Sequence, residues 1–175
     1  METKILNNDY FTSPIKEFTM TVPVDYDHER NFNDFLCHMH AKRYRAIFDG
    51  SPMHHVYLAK ATNPIEPGAT YKVEIATLKK IGEVEAYLEW FKEKKFLLTG
   101  AQGLIAVSSL CQNQLLPGAY FSLDEKENHY LWNNQKQILT TVLQGTPEDI
   151  DWLFQLNTFY RGFIIGDNMI GLNKI

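Results

Sequence analysis

Residues 35–55, FLCHMHAKRYRAIFDGSPMHH, hold four of the chain's six histidines and one of its two cysteines. That density raises metal binding and Cys/His chemistry as the first possibilities. A shared ion needs its imidazoles to converge within about 2.0–2.1 Å of one point. On a strand, His38 and His40 would face the same way and could do so. The apolar residues Phe32, Phe35, Leu36, Met39 and Ile47 instead share one side at about 100° per residue, which predicts a helix from about Asn31 to the Asp49-Gly50-Ser51-Pro52 stop. On that helix the two rings diverge by about 160° and cannot hold one ion. His40 then flanks the buried stripe, while His38 faces outward near Asp34. Cys37 turns away from both. His54 and His55, adjacent on an expected strand, must face opposite sides. No metal site is expected.

Other constellations resolve in the same way. Glu83 and Glu85 form an ExE pair, but on a helix their side chains splay by about 200° and act as a solvated face. TGAQGL, residues 99–104, places two glycines before an apolar run, as a phosphate cradle would. It lacks the Lys-Ser/Thr of a P-loop and the third glycine of a dinucleotide fingerprint, so a tight turn is the better reading. Ser108-Ser109 has no Gly-x-Ser-x-Gly elbow around it, and buried hydroxyls bonded to the backbone account for the pair.

Residues 116–132, LPGAYFSLDEKENHYLW, resemble the segment of ADP-ribosyltransferases in which a Gly-x-Tyr-Phe strand supports the nicotinamide and a later helix carries a second tyrosine. The resemblance implies a transferase acting on an NAD-type substrate, with His54 or His55, Tyr120 and Tyr130 lining one cleft. That family commonly uses a late glutamate. The terminal segment GFIIGDNMIGL offers only Asp167 in its place.

The elements that must position these residues follow from hydrophobic period. In KEFTMTVPVD, Phe18, Met20, Val22 and Val24 alternate with polar residues, which is a strand. Pro23 donates no amide proton and marks an edge or an end. MHHVYLAKA and TYKVEIATL read as two strands joined by the loop TNPIEPGA. GEVEAYLEWFKEKK is an amphipathic helix with Val84, Tyr87, Leu88 and Phe91 on one face, and KFLLT follows as a short strand. GLIAVSSLC is apolar on all sides and fits either a buried helix or a central strand. GAYFSLD and NHYLWN are short strands across a charged turn, and QKQILTTVLQG fits either state. TPEDIDWLFQLNTFY carries helix-start signals, with Thr146 as N-cap, Pro147 at the first helical position and Glu148 and Asp149 in the first turn. RGFIIGDNMIGL reads as a hairpin about Gly166-Asp167-Asn168.

The predicted fold is therefore α+β, with a mixed or antiparallel sheet and helices packed on one face. The N-terminal half has the element order of a ferredoxin-like split βαβ. One domain spans residues 1–175, with residues 1–14 as a flexible lead-in.

Composition narrows function further. The 175 residues are 45% hydrophobic, 22% charged and 13% aromatic, with a net charge of −4. That is globular usage without the electrostatic footprint of a nucleic-acid binder. No stretch approaches the ~20 apolar residues of a membrane span. No leader is evident and no CxxC spacing occurs, so a cytoplasmic protein with free thiols, no cofactor and no membrane partner is expected. With no converging titratable set, the leading expectation is a non-enzymatic binding protein. It would engage a protein partner or its own copy through an aromatic surface made of Trp90, Trp152, Phe159 and Tyr160.

Overall fold

The computed structural model describes residues 10–28, 30, 60–125, 130–132, 135–146, 149–158 and 164–175, with the backbone alone within 130–158. Its elements in chain order are β1 (Lys16–Thr21), β2 (Thr70–Thr77), α1 (Val84–Glu93), α2 (Gly100–Leu110), β3 (Gly118–Phe121), β4 (Tyr130–Trp132), β5 (Gln135–Thr146), β6 (Asp149–Thr158) and β7 (Asn168–Lys174). These strands form one seven-stranded mixed sheet ordered β1-β2-β7-β3-β5-β4, with β6 also on β5. All pairings are antiparallel except β3 with β7. The α+β class follows directly.

The alternation read in β1 and β2 sets the register. Residues directly opposite one another in a sheet share a face. Phe18 lies opposite Val73, Met20 opposite Tyr71, Val73 opposite Leu172 and Ile75 opposite Ile170. This apolar face packs under α2 through Leu104, Ile105, Ala106 and Val107. α2 is apolar all round because nearly every one of its residues is buried, which settles the helix-or-strand ambiguity of GLIAVSSLC.

On the opposite face, Ala76, Met169 and Phe121 meet α1 and the rings of Phe91 and Phe96. α1 and α2 therefore cover different faces, and β7, which lies between β2 and β3, is buried on both sides from Asn168 to Leu172. Gly171 is the contact point for the aromatic layer. A Cβ there would lie 2.5–2.6 Å from three ring carbons of Phe96. A strand interior tolerates glycine where another group must approach the backbone this closely. Farther along β1 and β2 that face is wet, with Lys72 bridging Glu17 at 3.0 Å and Glu74 at 2.7 Å.

Several expectations change. β2 has β1 on one edge and β7 on the other, and a ferredoxin-like order is not seen among the described residues. Residues 53–59 themselves, with the helix from Asn31, lie outside the described residues. Segment 149–158 is a strand rather than a helix: β5 and β6 pair over ten consecutive positions, from Gln137 opposite Thr158 to Thr146 opposite Asp149. Thr-Pro-Glu-Asp suits a reverse turn as well as a helix start, because proline's fixed φ fits both. Ile150, Trp152, Phe154 and Leu156 also alternate as a strand requires, and Leu153 alone disguised the pattern.

The C-terminal hairpin is likewise replaced. β7 has β2 and β3 as neighbours, since a strand paired on both edges has none left for a hairpin arm. Finally, residues 10–14 are anchored: Phe11 is 3% exposed and bridges Leu78. KFLLT is not a strand, although the Leu97 amide donates to the Leu172 carbonyl at 2.8 Å.

Candidate functional site

Anchoring of Phe11 determines the fate of Trp90. The indole stands off the main stripe of α1, which favoured an exposed binding role. In the fold, Phe11 stacks against it at 4.4 Å between centroids and Phe96 at 5.6 Å, and Trp90 is 5% exposed. It is a core residue. Its Nε1 donor finds no hydrogen-bond partner among the described residues.

Trp152 sits at a register position on β6, opposite Leu143. Phe159 and Tyr160 lie outside the described residues, as do Cys37, His38, His40, His54 and His55.

Tyr120 does not suit a nicotinamide platform. Its ring is 2% exposed, and its hydroxyl both donates to the Leu116 carbonyl (2.6 Å) and accepts from the Leu116 amide (3.0 Å). Burial holds that hydroxyl above the ordinary phenol range. A ring committed on every side closes a loop and cannot stack on a ligand. Tyr130 is on β4, opposite Gln137. The fold does not bring the two tyrosines together as sheet neighbours, because both pair with β5 at separate places.

The TGAQGL motif gains a definite role. Gly100 opens α2 with φ +48°, and a Cβ on it would lie 3.2 Å from the Asp124 carboxylate. Asp124 is 2% exposed and accepts from the Thr62 hydroxyl (2.5 Å), the Thr62 amide (3.2 Å) and the Glu125 amide (2.7 Å). A helix N-terminus favours an anion, and here the protein supplies its own. A phosphate would meet a fixed carboxylate instead of free amides. One turn on, the Gln102 side chain accepts from the Ile65 amide at 3.0 Å, and Asn63 exchanges two hydrogen bonds with Leu98. This buried polar seam ties the TNPIEPGA loop to α2 and gives its oxygens donors.

A second polar group lies where the Tyr26 region meets α2. Burial raises the Tyr26 hydroxyl far above the phenol range, an effect that Ser109 only partly offsets. Neither that hydroxyl, the His28 Nδ1 nor the Ser108 hydroxyl finds a well-formed partner among the described residues. Ser109 instead back-bonds to the Ile105 carbonyl at 2.8 Å, as a helix serine does. The imidazole of His28 stands edge-on to Tyr26 at 5.1 Å, and desolvation lowers its pKa despite nearby Asp27. Cys111 is a buried free thiol, and burial pushes it up to about 11, away from the nucleophilic thiolate.

Among the described residues no three His, Cys, Asp or Glu side chains are placed to hold a metal, and no helix is long and apolar enough to cross a membrane. In comparisons with known proteins, the chain matches no family model, no curated protein and no solved structure.

Sequence reasoning missed the sheet edge. β6 pairs with β5 alone among the described strands. By register, Ile150, Trp152, Phe154 and Leu156 fall on the face of Leu139, Thr141 and Leu143, which is also the face of Tyr120. Its signal was the period-two spacing of those four residues, hidden by a convincing helix start.

Proposed function

We propose that this chain is a non-enzymatic binding protein that engages a protein partner or a second copy of itself through β6. The observation that carries the reading is a ten-residue strand that, among the described strands, is paired along one edge, with four large apolar residues in alternate positions on one face. An unpaired edge offers a row of amide and carbonyl groups that an added strand can satisfy, and alternate side chains supply the specificity. Trp152 and Phe154 are residue types enriched at such contacts. The earlier aromatic surface is thereby relocated: Trp90 leaves it, and Trp152 remains on a strand rather than a helix.

The test is sedimentation over a concentration series, combined with hydrogen exchange resolved to residues 149–158. Trp152→Glu should weaken association by roughly tenfold or more. Gln155→Lys, on the opposite face by register, should change it little. Added protection of β6 amides in the complex is the second expected result. A chain that stays monomeric, with no partner protecting 149–158, or an association unchanged by Trp152→Glu in a folded variant, would sink the reading.

A further inference from the structure

The β2–β7 ladder ends in two neighbouring loop tips. Thr77 lies opposite Asn168, and two further hydrogen bonds carry the pairing on, from the Leu78 amide to the Asp167 carbonyl (2.8 Å) and from the Gly166 amide to the Leu78 carbonyl (2.9 Å). The chains then separate into residues 79–83 and 164–166. Ile81 is 57% exposed there, and Ile164 and Ile165 are each 64% exposed. Lys79 and Lys80 are exposed beside them.

These tips are fixed rather than slack. The Asp167 carboxylate accepts the Ile164 amide at 2.8 Å, and the Tyr87 hydroxyl accepts the Gly82 amide at 2.7 Å. The Lys79 amide donates to the Tyr10 carbonyl at 2.7 Å. Gly82 lies so close to the Tyr10 ring that a Cβ there would come within 2.3 Å of it. Buried anchors thus hold three aliphatic side chains outward on two adjoining tips, a grouping of the kind that marks an interaction site.

We infer that the two tips form an interfacial anchor for an anionic lipid surface, with Ile81, Ile164 and Ile165 entering the acyl boundary and Lys79 and Lys80 meeting headgroup phosphates. Charge complementarity selects this occupant. Lysine is depleted at protein interfaces, whereas lysines beside protruding aliphatic residues are what a headgroup layer accepts. Lys80 sits 5.4 Å from the centroid of the Tyr10 ring, so its charge is held at the tip. Glu83 closes the first tip and Glu85 follows on α1, and the whole chain is −4. Attraction is therefore local and screened within about a Debye length, and apolar insertion supplies most of the affinity. Contact of this kind needs no spanning helix and departs from the sequence-based expectation of no membrane partner.

The experiment is co-sedimentation of the full chain with phosphatidylcholine vesicles containing about a third phosphatidylserine, against phosphatidylcholine alone. Wild type should bind the anionic vesicles saturably and the neutral ones more weakly. Ile164→Ser with Ile165→Ser should lower binding roughly tenfold or more, and Ile81→Ser alone by less. Lys79→Gln with Lys80→Gln should lower it severalfold at low salt and less at high salt. These side chains are exposed, so the variants should melt as wild type does. Wild type remaining unbound at millimolar lipid, or serine variants binding undiminished, would overturn the assignment. So would a dimer that the serine variants dissociate without any vesicle binding, since the tips would then belong to a second copy.

Discussion

The two faces of the sheet are filled by different means. Under α2 the layer is mostly aliphatic, built from Val73, Ile75, Ile105, Val107, Ile170 and Leu172. Under α1 it is largely aromatic, with Phe11, Tyr87, Trp90, Phe91, Phe96 and Phe121. Large rings let α1 reach across three strands. Edge-on packing follows, with Phe91 and Phe96 at 5.2 Å and Phe11 and Tyr87 at 5.4 Å. The difference teaches that surplus aromatic residues are not surplus surface. Here they are a second core.

That contrast can be broken by mutation. Phe91→Ala should cost about 3–5 kcal/mol in urea unfolding, whereas Ile75→Val on the α2 face should cost about 0.5–1.5 kcal/mol. Equal costs would erase the distinction between a layer resting on a few rings and one shared among many aliphatics. Gly171→Ala should cost about 1–3 kcal/mol because Phe96 must move. In the background of Phe96→Ala much of that penalty should vanish, and a purely additive double mutant would mean that the ring is not what the glycine accommodates.

A smaller effect separates core from interface at Trp90. Trp90→Phe removes an indole N–H that has no partner among the described residues, so the loss should stay under about 1.5 kcal/mol, with association unchanged. A variant that folds normally but associates less would restore the tryptophan to the surface.

Protonation gives the finest comparison. Burial raises the Asp167 carboxyl above its ordinary 3.8. Its stabilising contribution is then complete below pH 3.8 and is lost as pH rises through the raised value. Asp167→Asn keeps an oxygen for the Ile164 amide without a charge, so the variant should gain on wild type as pH climbs from 3 to 7. His28 has the opposite sign. Its lowered pKa makes its contribution complete above 6.5 and lost on acidification through the folded value, a loss that His28→Gln should lack. Melting temperatures across pH would show both slopes, and parallel curves would remove both groups from the account.

Much of the fold was legible where one face of an element is buried and the other wet. Val84, Tyr87, Leu88 and Phe91 announced α1, and Tyr71, Val73 and Ile75 announced β2, since period reports environment directly. The candidate site was far less legible. The isoleucines at 164 and 165 read as part of a hairpin, because an apolar residue held outward looks in sequence like any strand residue. Asp124 went unnoticed for a related reason: its partner Thr62 is 62 positions away.

The sequence by itself determined which residues alternate, which stripe a helix can bury and that no CxxC or P-loop spacing occurs, because these depend on neighbours along the chain. Tertiary structure decided that Phe11 would fold back over Trp90, that Asp149–Thr158 would extend against β5, and that β7 would lie between β2 and β3. Each of those outcomes depends on surfaces brought together from distant segments, and a local pattern that suits two conformations is resolved only by the partner that satisfies its backbone hydrogen bonds.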